Sequence, residues 1–198
     1  MKTFAKLAPA LVLFALGACA SPTGPVEVTR FHAPEKVALL GQGSIAVEAA
    51  PGMDADSLEL ASYRAAVGRE LIKLGYNEVA PGLGTQVAEV RMRRAVLSPE
   101  AQRGPVSVGV GGSTGSYGSG IGLGLGIDLS GKPKDQVLTE LAVTIRQRLT
   151  GEPIWEGRAQ FSVKAGAPLA ETQLAAGKLA EALFAGFPGE SGETIEVK

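Results

Sequence analysis

Three segments of the chain, residues 85–97, 141–149 and 155–164, alternate apolar residues with polar or charged ones. Their apolar positions are Ala88, Val90, Met92, Val96, Leu141, Val143, Ile145, Leu149, Trp155, Ala159, Phe161 and Val163. The cations that lie between them are Arg91, Arg93, Arg146, Arg148, Arg158 and Lys164. Because successive side chains of a strand point to opposite faces, this pattern predicts three long strands of an antiparallel sheet with one face in water.

Two further segments follow the period of a helix. The first predicted helix ends at Gly75, and its apolar stripe is Leu60, Tyr63, Val67, Leu71 and Leu74. The second begins at Pro168, and its inner stripe is Leu169, Ala176, Leu179 and Leu183. Short strands are predicted over residues 26–32, 43–49 and 194–197. The element order predicts an α+β fold, a two-layer sandwich in which an antiparallel sheet carries two helices on one face.

A glycine-rich block at residues 104–131 separates the first long strand from the second. Apolar residues alternate with small ones in its flanks, 106–110 and 121–129, so the block is predicted to be a hairpin or a loop insertion. Four roles remain open: a mobile or disordered segment, a hairpin that binds a partner, a segment that touches the membrane, and a phosphate-binding loop. Phosphate binding is disfavoured because Gly131-Lys132-Pro133 is not a Walker ending.

The start of the chain has the parts of an export signal. Lys2 and Lys6 precede an apolar run, Leu7 to Leu16, which leads into Leu16-Gly17-Ala18-Cys19. That motif resembles the lipobox of bacterial lipoproteins, in which the cysteine receives a diacylglycerol and the chain is cut before it. The resemblance implies that Cys19 is the lipidation site and the mature N-terminus. The alternatives are a soluble export signal cut at Ala18 or Ala20, and an uncut anchor, for which the apolar run is shorter than the ~20 residues of a membrane span.

The residues after Cys19 bear on the membrane in which the protein is anchored. Ala20 and Ser21 stand where enterobacterial lipoproteins of the inner membrane carry an aspartate. The resemblance therefore implies an outer-membrane lipoprotein on the periplasmic face, held by diacylglycerol and palmitate-type chains. Several acyl chains on one residue anchor a protein firmly, whereas a single chain does so marginally.

The expected organisation is a signal peptide at residues 1–18, a tether at 19–25 and a single α+β domain at 26–198 that contains the glycine-rich insertion. Removal of the leader leaves 180 residues, with 17 basic and 20 acidic side chains. This balance provides no overall basic field, so no nucleic-acid partner is expected. Cys19 is the one cysteine of the chain, so no disulfide is expected within the mature protein.

The residues that could carry chemistry are few. His32 is the one histidine, and a lone histidine on a strand is usually structural. The motifs HxxxH and CxxC do not occur in the sequence. We therefore expect no catalytic residues, no cofactor and no metal. The charged face of the sheet is expected to be solvated, with a docking surface for a protein or a glycan as the functional alternative.

Two segments together resemble a known family. They are Arg30-Phe31-His32 and residues 182–194, which contain Phe187-Pro188-Gly189 followed three residues later by Gly192. With Glu59, Tyr63 and Leu74-Gly75-Tyr76, they resemble lipoproteins that carry domain of unknown function 4136. The resemblance covers nearly all of the mature chain. It implies an envelope protein without an established enzyme activity, and the end motif is interpreted as a helix stop and a turn back to the sheet.

The expected function is a lipid-anchored, periplasm-facing envelope protein with a non-enzymatic binding, scaffold or assembly role. Its expected partners are the membrane, through the N-terminal lipid, and an envelope protein at the glycine-rich hairpin. The alternative is a small-ligand-binding protein or an enzyme with a site between the sheet and the helices. A deep pocket with convergent polar groups at that place would favour the alternative.

Overall fold

A computed structural model of the chain describes residues 24–98, 106–113, 120–127 and 135–198. The strands are β1 Val26–His32, β2 Ser44–Ala49, β3 Asn77–Val79, β4 Gln86–Leu97, β5 Val106–Ser113, β6 Gly120–Ile127, β7 Gln136–Gln147, β8 Pro153–Lys164 and β9 Thr194–Val197. The helices are α1 Leu58–Lys73 and α2 Thr172–Phe184, with 3-10 helices at Pro34–Leu39 and Pro168–Ala170. The protein therefore belongs to the α+β class, as the sequence predicted.

Seven of the strands form one open sheet in the order β3-β2-β4-β7-β8-β1-β9. The pairs from β4 through β9 are antiparallel, but β2 runs parallel to both β3 and β4. The prediction of an antiparallel sheet is wrong at this edge, and the sheet is mixed. The reason is α1, which connects β2 to β3 and carries the chain back to the end of the sheet at which β2 begins.

One hydrophobic core joins the helices to the sheet. It contains the predicted helix residues Leu60, Tyr63, Val67, Leu71, Ala176, Leu179 and Leu183. It also contains the inward residues predicted for the long strands: Ala88, Val90, Leu141, Val143, Ile145, Trp155, Ala159, Phe161 and Val163. The alternation of apolar and charged residues therefore identified correctly which face of each long strand is buried.

The ends of several elements differ from the prediction. Leu149 is 97% exposed because β7 ends at Gln147, and Val96 is 62% exposed because β4 extends past the core. Pro168 begins a separate 3-10 helix, and α2 starts at Thr172 after a break at Glu171, whose backbone is extended. Helix α1 is capped by Ser57, whose side chain accepts a hydrogen bond from the Leu60 amide.

The flanks of the glycine-rich block pair with each other. Strands β5 and β6 form an antiparallel two-stranded sheet in which Val106 lies opposite Ile127 and Gly112 opposite Ile121. In the described residues, neither strand pairs with the seven-stranded sheet. The predicted hairpin pairing is therefore present, whereas the segment between the two strands, residues 114–119, lies outside the described residues.

Candidate functional site

The face of the sheet that points away from the helices carries the predicted cations. Arg91, Arg93, Arg158 and Lys164 are exposed there, and Arg146 and Arg148 are half-buried. They alternate along β4, β7 and β8 with the residues of the core, as the period of two requires. We refer to this surface as the open face.

Ion pairs neutralise part of the open face. Arg146 Nε lies 3.0 Å from Glu89 Oε2, and Arg148 Nη2 lies 2.6 Å from Glu48 Oε1. Burial alone would raise the pKa of the Glu48 carboxyl, but hydrogen bonds from the Gly82 amide and from Arg148, with the charge of Arg148, bring it below its usual value. These two pairs fix the part of the face near the start of β4.

A groove of about 500 Å³ crosses the centre of the open face. Its floor is Ala142 on β7, which lies directly between Arg91 on β4 and Arg158 on β8. Neighbouring strands are about 4.8 Å apart, so the Cα atoms of the two arginines are separated by roughly 10 Å. The small side chain of Ala142 leaves this space open between two long cationic side chains.

The far wall of the groove comes from β1 and from the start of β8. Thr144, Glu156 and Phe31 lie side by side on β7, β8 and β1. Phe31 is 53% exposed, although it belongs to a strand of the central sheet. Glu156 is also exposed, so this wall offers an aromatic surface beside a carboxylate.

The cations of the groove differ in how they are paired. Arg158 Nε lies 3.6 Å from Glu140 Oε1. Glu140 is on β7, between β4 and β8, and its carboxylate is therefore already paired. Arg91 donates to the Pro51 carbonyl oxygen at 2.7 Å, which is a neutral acceptor. Among the residues that the structure describes, neither Arg91 nor Arg93 forms an ion pair with a carboxylate. Two positive charges therefore remain available at one wall.

On the other side of the sheet, Arg30 fastens the end of α2 to β1. It is only 4% exposed and points into the core, in phase with Val26 and Val28. Its Nε donates to the Leu183 carbonyl at 2.9 Å, and its Nη2 donates to the carbonyls of Ala182 and Ala185 at 3.0 and 2.7 Å.

The charge of Arg30 faces the negative end of the α2 dipole, whose last carbonyls lack helical partners. Burial lowers the pKa of its guanidinium, and the charge of Glu193 opposes that shift. The guanidinium thus replaces the missing amide donors at the end of the helix.

The segment after α2 is docked on the same strand. His32 Nε2 lies 3.1 Å from the Gly189 carbonyl oxygen, and the His32 amide donates to Ser191 Oγ at 3.1 Å. Trp155 Nε1 donates to the Pro188 carbonyl at 3.0 Å. The two segments on which the family resemblance rests therefore contact each other, and the contacts fix the turn that leads to β9.

The sequence-predicted site residues have different outcomes. Cys19, the signal peptide at 1–18 and the tether up to residue 23 lie outside the described residues. His32 makes backbone contacts in the docked turn. Across residues 24–98 and 135–198, no group of three or more histidine, cysteine or acidic side chains could hold a metal ion.

The groove residues on β1 were not singled out by the sequence as a site. Phe31 is in phase with Thr29 and out of phase with Val28, so the alternation of β1 places it outward. An aromatic residue on a face that is otherwise polar was the available signal. The groove lies on the open face, whereas the alternative function required a site between the sheet and the helices.

Neither helix of the described residues is long and apolar enough to cross a membrane.

A search of known protein families finds none whose model matches the chain. An uncharacterized protein of Zymomonas mobilis subsp. mobilis is 42% identical over 64 residues, which is 32% of this chain and 24% of that protein. The chain therefore spans about a quarter of the length of that relative.

Solved structures with a similar arrangement are distant in sequence. A PDZ domain protein from Parabacteroides distasonis has a TM-score of 0.48 and 12% identity, over 88% of this chain and 39% of that one. A PelC dodecamer from Paraburkholderia phytofirmans has a TM-score of 0.45 and 11% identity, over 84% of this chain and 99% of that one.

Proposed function

We propose that this chain is a lipid-anchored envelope protein with a non-enzymatic binding or scaffold role, attached through Cys19 to the periplasmic face of the outer membrane. The lipobox-like motif supports the anchor. The partner at the glycine-rich hairpin is an envelope protein, and nucleic acid is not a partner. We further propose that the sheet and its two helices form a two-layer sandwich into which the hairpin is inserted.

The observation that carries this proposal concerns one end of the sheet. The start of β1 lies there, together with the two points at which the chain leaves for the glycine-rich block and returns from it. Glu27, Gln160, Glu140 and Arg93 lie in one row across β1, β8, β7 and β4. Strand β1 begins one residue before this row, and at the same end β4 continues to Leu97 and β7 starts at Gln136. The start of the domain therefore lies at the end of the sheet at which β4 leads toward the glycine-rich block and β7 returns from it.

This arrangement sets a distance between the proposed anchor and the hairpin. Residues 19–25 reach at most ~25 Å when fully extended. A lipid on Cys19 would hold that end of the sheet within this distance of the membrane surface. A scaffold protein gains from this geometry because the segment that carries its partner site is connected at the anchored end.

The hairpin has the features of a strand-pairing site. In the register of β5 with β6, the pairs Val106–Ile127, Val108–Leu125 and Val110–Leu123 alternate with pairs made of glycine and serine. Glycine allows another backbone to approach closely, and a two-stranded sheet has two unpaired edges. An extended segment of an envelope protein can add to such an edge.

The first experiment tests the lipid anchor at Cys19. We expect Cys19→Ala to abolish labelling with radioactive palmitate and to stop cleavage before residue 19. The wild-type chain should be labelled and should fractionate with the outer membrane. A labelled Cys19→Ala variant that still fractionates there would contradict the anchor.

The partner is tested in the same cells with a photo-crosslinking amino acid at Val110, and at Arg69 as the matched control on the exposed side of α1. We expect an adduct with one envelope protein at Val110 and not at Arg69, and its loss when Cys19 is replaced. The same adducts at both positions, or none at Val110, would contradict a partner site in the hairpin.

A further inference from the structure

The groove on the open face combines three kinds of chemistry. Arg91 and Arg93 supply positive charge at one wall, and Phe31 supplies an exposed aromatic surface at the other. The same groove is lined by the hydroxyl oxygens of Thr29 and Thr144 and by the carboxylate of Glu156. Such a groove suits a ligand that is anionic at one end, and hydroxylated with an apolar face at the other.

The charges give the ligand a direction. An anionic group at Glu156 would be repelled, whereas at Arg91 and Arg93 it meets two guanidinium groups that form no ion pair within the described residues. The carboxylate of Glu140, opposite Arg93 on β7, is paired with Arg158. Hydroxyl groups can donate to the Glu156 carboxylate. The arrangement therefore favours the anionic group at the β4 wall and the neutral part at the β1 wall.

The position of the groove separates a saccharide from a peptide. The floor of the groove is formed by β7 and β8, and each of these two strands is paired on both sides along the groove. A peptide that lies along the floor cannot add to the sheet, because the main-chain groups of these strands are already paired. A saccharide needs only side-chain partners for its hydroxyls and an aromatic ring against its apolar face.

We propose that the groove binds an acidic saccharide, with a carboxylate on Arg91 and Arg93 and a sugar ring against Phe31. The volume of about 500 Å³ lies within the usual range of small-ligand sites. The site uses neither the lipid on Cys19 nor the hairpin, so it stands apart from the proposed scaffold role.

The test is calorimetric titration of the purified full chain, in a non-ionic detergent, with a galacturonic acid tetramer. Two matched probes accompany it. The methyl ester of the same tetramer keeps the sugar and loses the charge, and a glutamate tetrapeptide keeps the charge and loses the sugar. We expect the acid tetramer to bind, the two probes to bind at least about tenfold more weakly, and its affinity to fall with added salt.

Two variants examine the site itself, and a third is their control. Arg93→Gln should weaken binding about tenfold, a loss of about 1.4 kcal/mol, and it removes no ion pair seen among the described residues. Phe31→Ser should weaken binding of the tetramer by a similar factor while leaving its salt dependence in place. Arg69→Gln removes the same charge from the exposed side of α1 and should leave binding unchanged.

Each other outcome overturns the proposal. Equal or tighter binding of the glutamate peptide would assign the groove to an acidic peptide. Binding of the tetramer that survives both Arg93→Gln and Phe31→Ser would place the saccharide elsewhere. Absence of binding by the folded wild-type chain, confirmed by its cooperative thermal unfolding, would show that the open face is only solvated.

Discussion

Gly157 makes room for the largest side chain of the core. A Cβ atom at this position would lie 2.2 Å from Trp155 Cη2 and 2.8 Å from Leu183 Cδ1. The indole of Trp155 therefore folds over a residue of its own strand that has no side chain. In this position it stacks on Phe184 with ring centroids 5.4 Å apart and touches Phe187 at 5.2 Å.

Replacement of Gly157 should therefore be costly. We expect Gly157→Ala to lower the free energy of unfolding by about 1–3 kcal/mol or more, because the added methyl overpacks a core that cannot expand. Gly177→Ala is the matched control, since a Cβ there meets nothing within 4 Å inside α2. It should stabilise the protein by up to about 1 kcal/mol.

Urea denaturation followed by the fluorescence of Trp155, the one tryptophan of the chain, measures both changes. Equal effects of the two substitutions would show that Trp155 does not occupy the space beside Gly157.

At the scale of single residues, the sequence predicted which side chains of β7 and β8 are buried, because burial follows from the alternation alone. It did not predict the burial of Arg30. That position is inward by the same alternation. A buried guanidinium is tolerated there only because carbonyls 152 to 155 residues later in the chain accept its hydrogen bonds. No local pattern contains such a partner.

Among the elements, α2 depends on β1 for its last turn. Arg30 supplies hydrogen bonds to three carbonyls there, and Gly189 lies so close that a Cβ atom would meet Arg30 Cδ at 2.7 Å. Gly189 also has φ of +79°, a conformation that glycine adopts without strain. The end of the helix, the turn and the strand therefore form one unit.

We expect Arg30→Leu to lower the free energy of unfolding by on the order of 3 kcal/mol, because the buried carbonyls of Ala182 and Leu183 and the partly buried carbonyl of Ala185 lose a donor. Arg30→Lys should lose less, since it keeps the charge but not the planar fork that reaches several acceptors. Urea denaturation gives both values, with Arg69→Leu as an exposed control that should change stability by less than ~0.5 kcal/mol. An Arg30→Leu protein as stable as this control would contradict the role of Arg30.

The directions of β2, β3 and β4 show what element patterns leave open. Strands β2 and β4 were predicted from their sequence patterns, whereas β3 was not predicted as a strand. The direction of pairing was not predictable either, because a strand looks the same in a parallel and an antiparallel pair. Direction was decided by the path of α1 across the sheet. Strand β9 was predicted over residues 194–197, after the turn that the end motif indicates, and it is present there.

At the scale of the whole molecule, the described strands of the glycine-rich hairpin, β5 and β6, form no pairs with the seven-stranded sheet. We expect replacement of residues 113–120 by Asn-Gly to change the thermal midpoint by less than about 4 °C, the shift that roughly 1 kcal/mol produces in a domain of this size. The replacement keeps Gly112 opposite Ile121, and shortening a loop changes its closure entropy only slightly.

Differential scanning calorimetry measures this midpoint, and the Val110 crosslink is scored on the same variant. A fall of much more than about 4 °C would show that the hairpin packs into the core. An intact midpoint together with a lost crosslink would show that the segment serves binding rather than folding.

The groove was the feature of the whole molecule that the sequence could not show. Its walls come from β4, β7, β8 and β1, which are far apart in the chain and meet only through the strand order. The sequence identified the cations of the open face but not the neighbours that the register brings beside them. Site geometry on a sheet depends on that register.

The place of β1 between β8 and β9 has a consequence for how the chain comes to be folded in time. As the chain is synthesised from its N-terminus, the first strand lacks its first partner until residue 160 has emerged and its second partner until residue 197 has. Arg30 lacks its acceptors at the end of α2 until residue 185 has emerged. Folding of this half of the domain is therefore delayed until nearly the whole chain is available, and a chain that stalls before β8 leaves an unpaired strand next to its N-terminus.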